Sequence, residues 1–180
     1  MGKTDYAKVT PEEYQRLLTT KALLEERLDK TRDSLDEHRL EADTDVLTGV
    51  LNNRGLIRRT RGRDWGWWVM ADLNCFKLAQ DAHEDGHAYG DRILVEFAIF
   101  LAEATRGQNG QRPGDIVGRK GGDEFLVWCE TRLGARKIRD RIREWASRDG
   151  KVTSAAGFGE DPETADAALY IHKQRLKETT

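Results

Sequence analysis

From Tyr14 onward, Leu17, Lys21, Leu24, Leu28, Thr31, Leu35, His38 and Ala42 recur at alternating intervals of three and four, the spacing that keeps side chains on one stripe of a helix. Charged residues such as Glu25, Glu26, Arg27, Asp29 and Lys30 occupy the other faces, and no proline interrupts the stretch before Asp43. Thr10-Pro11-Glu12-Glu13 marks the start, with a capping threonine, proline at the first helical position and a glutamate able to reach back to the cap. The pattern predicts a long helix whose heptad seam suits pairing with a second copy of itself. Lys21, Thr31 and His38 soften that seam, and a single amphipathic helix packed on its own domain is the alternative.

Past residue 43 the period changes. A short basic helix with Arg54, Arg58, Arg59, Arg61 and Arg63 on a solvated face precedes Trp67-Trp-Val-Met-Ala-Asp-Leu73, an apolar run that reads as a buried strand ending in an acid. Asp91 to about Arg106 returns to helical spacing through Ile93, Leu94, Phe97, Phe100 and Leu101, and a Gly/Gln/Pro loop covers 107–114. Ile116-Val117 and Phe125-Leu126-Val127-Trp128 then flank two glycines and two acids, which predicts a hairpin. A basic amphipathic helix over Leu133–Arg148, a strand over Val152–Phe158 and a helix from Glu163 to about Lys177 complete the chain. Such alternation predicts an α/β (α+β) domain over 44–180, a mixed sheet flanked by helices, behind a helical stalk over 1–43.

With 180 residues the chain has room for one domain and an extension. A net charge of −2 provides no broad attraction to nucleic acid or anionic membrane, so a small ligand is expected. No apolar run approaches the ~20 residues of a membrane-spanning helix, and the N-terminus lacks the apolar core of a signal peptide, so the expected location is cytoplasmic. Cys75 and Cys129 stand apart, without CxxC spacing, and read as reduced thiols.

The chemistry concentrates in Lys120-Gly-Gly-Asp-Glu-Phe125. Gly121 and Gly122 permit backbone conformations closed to other residues and let a bulky anion approach the main chain. Asp123 and Glu124 stand beside that approach, where a hard divalent cation reconciles carboxylates with phosphates. Asp72, ending the neighbouring strand, would add a third carboxylate at the same sheet edge. A metal held there would offset charge on phosphoryl oxygens.

The run RPGDIVGRKGGDEF over 112–125 resembles the GGDEF family of diguanylate cyclases, which join two GTP molecules into cyclic di-GMP. Four further segments are similar to family motifs. Asp45–Arg54 resembles DxLTGxxNRR with Asn53 for the first arginine, Asp72–Lys77 resembles DxDxFK with Asn74 for the second acid, and Gly86–Asp91 matches GHxxGD. Ala165–Lys173 likewise resembles ADxALYxAK.

The resemblance implies a palm-like nucleotidyl cyclase domain in which Asp72, the carbonyl of Leu73, Asp123 and Glu124 hold Mg²⁺ or Mn²⁺, with Asp123 or Glu124 as proton acceptor. It implies that Gln80 and Asp91 read the guanine edge, that Lys77, Lys173 and Lys177 approach the triphosphate, and that Arg112 and Asp115 form an RxxD site where cyclic di-GMP inhibits. Departures lie at Gln80-Asp81, followed by four residues (Ala82 to Asp85) before Gly86 where the family has two, and at Lys177, where arginine is usual. The stretches Arg54–Asp72 and Phe125–Ala165 are also short for the family. An active cyclase, homodimeric through the N-terminal helix, is the expected function. The alternatives are a non-catalytic cyclic di-GMP receptor using Arg112 and Asp115, and a cyclase that makes a different cyclic dinucleotide.

Overall fold

The computed structural model describes residues 10–63, 65–105 and 114–178. The chain divides into two compact units, Met1–Ala42 and Asp43–Thr180. Helix α1 (Pro11–Asp43) supplies the described part of the first. Its start carries the reciprocal cap: Glu13 N–H donates to Thr10 Oγ1 at 3.2 Å and Thr10 N–H donates to Glu13 Oε2 at 2.8 Å. Tyr14, Leu17, Leu24, Leu28 and Leu35 along the seam are all at least half exposed, as are Leu23 and Leu40 away from it.

The second unit contains β1 (Leu51–Asn52), α2 (Asn53–Thr60), β2 (Trp67–Asn74), α3 (Phe76–Ala82), α4 (His87–Thr105), β3 (Ile116–Gly121), β4 (Glu124–Cys129), α5 (Arg132–Arg143), β5 (Thr153–Gly159) and α6 (Pro162–Glu178). Its five strands form one mixed sheet in the order β1-β3-β4-β2-β5. β1 runs parallel to β3 and the other neighbours are antiparallel.

The apolar run of β2 is continuous because both faces of the sheet are covered. Val69, Ala71 and Leu73 point to a core shared with Ile93, Phe97 and Leu101 of α4 and Ile138 and Ile142 of α5. Met70 points the other way, to Leu56 of α2 and Ala165 and Leu169 of α6. β4 alternates in the same sense, with Phe125, Val127 and Cys129 in the first core and Leu126 in the second. β5 presents Ala155 and Gly157 to α6, which lies directly on it, and Ala156 to the first core. A Cβ at Gly157 would meet the α6 backbone, Leu169 N at 2.0 Å and Ala165 O at 2.4 Å.

Three details differ from the sequence reading. α3 and β1 are additional elements; seven and two residues are too few to establish a period. α4 begins at His87, four residues ahead of the Asp91 expected. α5 stops at Arg143, because Trp145 turns into the aromatic cluster of Phe97 and Phe100 and Ser147–Gly150 closes a turn, Gly150 N–H donating to Ser147 O at 2.8 Å. The arginines over 54–63 are exposed as expected; Arg58 Nη1 also lies 2.8 Å from the buried Asp43, and Arg63, beyond the end of α2, stacks over Trp128. Most of the expected 107–114 loop falls outside the described residues. Among those described, no helix is long and apolar enough to cross a membrane.

Candidate functional site

Antiparallel register sets Asp72 of β2 directly opposite Glu124 of β4. Between β3 and β4 the chain turns through Gly122 and Asp123, and Gly122 has φ +54° with open space where a Cβ would stand. That left-handed conformation explains the glycine. The turn is braced from its stem by Arg119, whose Nε donates to Gly122 O at 2.9 Å while Nη1 donates to Asp45 Oδ1 at 3.2 Å. Asp45 is itself held by Thr48, whose Oγ1 donates to it at 2.6 Å. Asp45 was legible as part of a motif, whereas Arg119 was not singled out. Its signal is an arginine two residues ahead of the glycine pair.

Beside the turn opens a cleft of about 710 Å³ lined by Asp72, Leu73, Asp123, Lys77, Lys173 and Lys177. α6 delivers two of its lysines by periodicity. Ala165, Leu169, Lys173 and Lys177 follow one another at intervals of four, so a stripe that starts in the core ends in the cleft. Close approach at Gly157 brings that stripe within reach, and Lys173 Nζ stands 2.5 Å from Asp72 Oδ1. Burial pushes the Asp72 carboxyl above the usual aspartate range. The Lys173 hydrogen bond pulls it back, and the negative charges of Asp123 and Glu124 push it up again, leaving a net rise.

The remaining expected residues are distributed more widely. Glu124 turns to Lys120, 3.3 Å away, so the expected trio of acids is split and only Asp72 and Asp123 line the cleft. Among the described residues no group of three His, Cys, Asp or Glu side chains gathers as a metal cage. Two carboxylates are nonetheless a fitting donor set for Mg²⁺, which takes one or two from protein and completes its shell with phosphate oxygens and water.

Gln80, on α3, is turned to the first turn of α4, its Nε2 2.5 Å from His87 Nδ1 and its amide packed beneath Gly90. Asp91 opens onto a separate groove of about 680 Å³ with His83, Tyr89, Arg92 and Glu96. His83, from the segment between α3 and α4, stacks on the Tyr89 ring at 4.3 Å. Tyr89 in turn donates to Asp149 Oδ2 at 2.9 Å. Asp115 is half-buried ahead of β3, accepting from Glu130 N–H at 3.4 Å, and Arg112 lies outside the described residues.

Comparison with known proteins is consistent along the chain. The family model described as "Diguanylate cyclase, GGDEF domain" matches residues 42–157. The response regulator PleD of Caulobacter vibrioides is 33% identical over 196 residues, covering 92% of this chain and 41% of that protein. Diguanylate cyclase DgcP of Escherichia coli is 32% identical over 148 residues, 72% of this chain and 41% of its own length. The chain thus spans about two-fifths of these relatives. Among solved structures, diguanylate cyclase SiaD in complex with its activator SiaC, from Pseudomonas aeruginosa, aligns with a TM-score of 0.68 at 28% identity, covering 91% of this chain and 70% of that one. The coiled coil and GGDEF domain of DgcB from Caulobacter crescentus, in complex with c-di-GMP, shares the fold with a TM-score of 0.60 at 23% identity over 88% of this chain and 94% of that one.

Proposed function

Since this chain belongs to the GGDEF family of diguanylate cyclases, we propose that it condenses two GTP molecules into cyclic di-GMP. The observation that carries the reading is the shared cleft: two carboxylates and three lysines, from β2, the β3–β4 turn, α3 and α6, face one space large enough for a triphosphate. Asp72, the main-chain carbonyl of Leu73 and Asp123, with Glu124 at their side, would hold Mg²⁺ or Mn²⁺, which when bound supplies Lewis-acid neutralisation of the phosphoryl oxygens and acidifies a 3′-hydroxyl.

Lys77, Lys173 and Lys177 grip the triphosphate, and Gly121 and Gly122 let it lie against the turn. Asp123 takes the proton of the attacking 3′-hydroxyl. Glu124, paired with Lys120, is the less available base. A bond forms between the 3′-oxygen and the α-phosphorus, and the bond from that phosphorus to the leaving pyrophosphate breaks. A second copy of the domain performs the same step on the other nucleotide and closes the ring. The exposed seam of α1 would bring the copies together at the millimolar effective concentrations that linked modules reach. Asp91 and Gln80 read the guanine edge, and cyclic di-GMP held by Arg112 and Asp115 restrains the enzyme.

A second reading keeps the chemistry and changes the base. It is favoured by the engagement of Gln80 with His87 and by the opening of Asp91 onto a separate groove. Purified protein supplied with Mg²⁺ and GTP, ATP or both, with products resolved by chromatography, decides between them. Cyclic di-GMP from GTP alone is the expected result, and an adenine-containing dinucleotide would establish the second reading. Absence of turnover with tight cyclic di-GMP binding would instead identify a receptor. In the same assay Arg112→Ala should raise the yield by relieving product inhibition; unchanged inhibition would discard the RxxD assignment.

A further inference from the structure

Asp72 is buried to 8% exposure at the end of β2, and a carboxylate at that depth needs a countercharge. Lys173 provides it, with Nζ 2.5 Å from Oδ1. A magnesium ion on the Asp72 carboxylate would sit about 2.0–2.1 Å from its oxygen, so it would share that carboxylate with the ammonium. Ammonium and divalent cation therefore compete for the single negative charge of Asp72 and repel one another at that range.

From this contact we infer that Lys173 is a built-in stand-in for the divalent ion. It holds Asp72 while the cleft is free of nucleotide and transfers to the polyphosphate when nucleotide and metal enter together. Metal binding is thereby made conditional on nucleotide. The inference rests on the metal-and-nucleotide reading proposed above.

Three further observations support it. The cleft by itself is poor in acids, because Glu124 is tied to Lys120 and no third acid gathers among the described residues, so a cation arriving alone finds Asp123 and a carboxylate already neutralised. The root of Lys173 is fixed and its tip is not. Ala165 and Leu169 anchor the same stripe against β5, whereas the lysine side chain keeps 34% exposure at the cleft and has a flexible four-carbon stem on which to swing. Lys77 and Lys177 line the same cleft, so the triphosphate that draws Lys173 away enters a space already lined with positive charge.

The test measures Mn²⁺ binding by the full chain, by calorimetry and by the Mn²⁺ electron paramagnetic resonance signal, with and without a GTP analogue whose α,β-bridging oxygen is replaced by a methylene. Wild-type protein should bind Mn²⁺ weakly alone and at least about tenfold more tightly with the analogue present. Lys173→Gln should bind Mn²⁺ alone about tenfold more tightly than wild type, while its affinity for the analogue falls. Lys173→Met, which keeps the length of the stem, should reproduce the gain and guards against a local packing defect. Lys177→Gln should weaken the analogue but leave nucleotide-free Mn²⁺ affinity within about twofold, since it does not touch Asp72.

An unchanged nucleotide-free affinity in both Lys173 variants, or an equal gain in Lys177→Gln, would overturn the stand-in while leaving the metal reading intact. Failure of wild type and variants alike to take up Mn²⁺ with the analogue present would overturn the metal reading and the stand-in together.

Discussion

The phosphate side and the base side of the proposed nucleotide site are built on different principles. On the phosphate side each polar group is placed by a regular element. Register sets Asp72 opposite Glu124, Arg119 braces the turn that carries Asp123, and a four-residue repeat along α6 aims Lys173 and Lys177 at the cleft. The base side hangs on the connection between α3 and α4, where residues 83–86 form a turn closed by Gly86 N–H donating to His83 O at 3.0 Å, Gln80 bonds to His87 and Asp91 faces a different groove. A sheet transmits position residue by residue, whereas a helix-to-helix connection can change length without disturbing what lies beneath it. On the proposed function, chemistry and base choice could thus vary independently.

Breaking the phosphate side should have the largest effect. Asp123→Asn removes a cation-holding charge with little change in volume and should lower cyclic di-GMP formation by about a thousandfold or more, with an unaltered melting transition. Activity within about tenfold of wild type would reassign the proton acceptor. On the base side Asp91→Asn should leave phosphate chemistry in place but reduce the preference for GTP over ATP by about 10–100-fold in kcat/KM. An unchanged preference would mean that the base is read elsewhere, and that the two sides are further apart than proposed.

Gly157→Ala probes the packing that joins β5 to α6. With backbone atoms at 2.0 and 2.4 Å from the added methyl, α6 must shift, and urea unfolding should report a loss of about 1–3 kcal/mol. Full stability in that variant would show that α6 moves without cost, and the fixed root assigned to Lys173 would be lost with it.

The smallest effect belongs to Asp149, next to Tyr89. Hydrogen bonds from Ser147 and the Lys151 N–H hold its carboxyl down at about 2 from an ordinary 3.8. A depressed carboxyl stabilises the fold above its unfolded value and loses that contribution as pH falls through the folded one. The difference in urea midpoint between wild type and Asp149→Asn should therefore be present above about pH 4 and close toward about pH 2. A difference that persists unchanged to the lower pH would assign it to packing.

Legibility in the sequence follows the same division. β2, the hairpin and α6 were readable because each carries a period or a turn chemistry of its own, and both α4 and α5 were readable except at one end. α3 was not, since it opens at Cys75 in the left-handed conformation, which nothing in a cysteine announces, and lasts only seven residues. The acids of the hairpin were readable as a group, but the diversion of Glu124 to Lys120 depends on which side chains share a face once the strands have paired. Gln80 and His87 are seven residues apart on different helices, so their contact exists only after the intervening turn has formed. The α1 cap was visible in full because all its partners lie within four consecutive residues.

The alignment of Ala165, Leu169 and Lys173 on one stripe of α6, seated at Gly157, also limits how the domain can evolve. Adding or removing one residue between the seat and the lysine would rotate its ammonium by about 100° around the helix, away from Asp72, however faithfully the composition was preserved. The α3–α4 linker has no such constraint. Changes of residue count should accumulate in related chains at that linker, and the wall that holds the ions should drift by replacement alone.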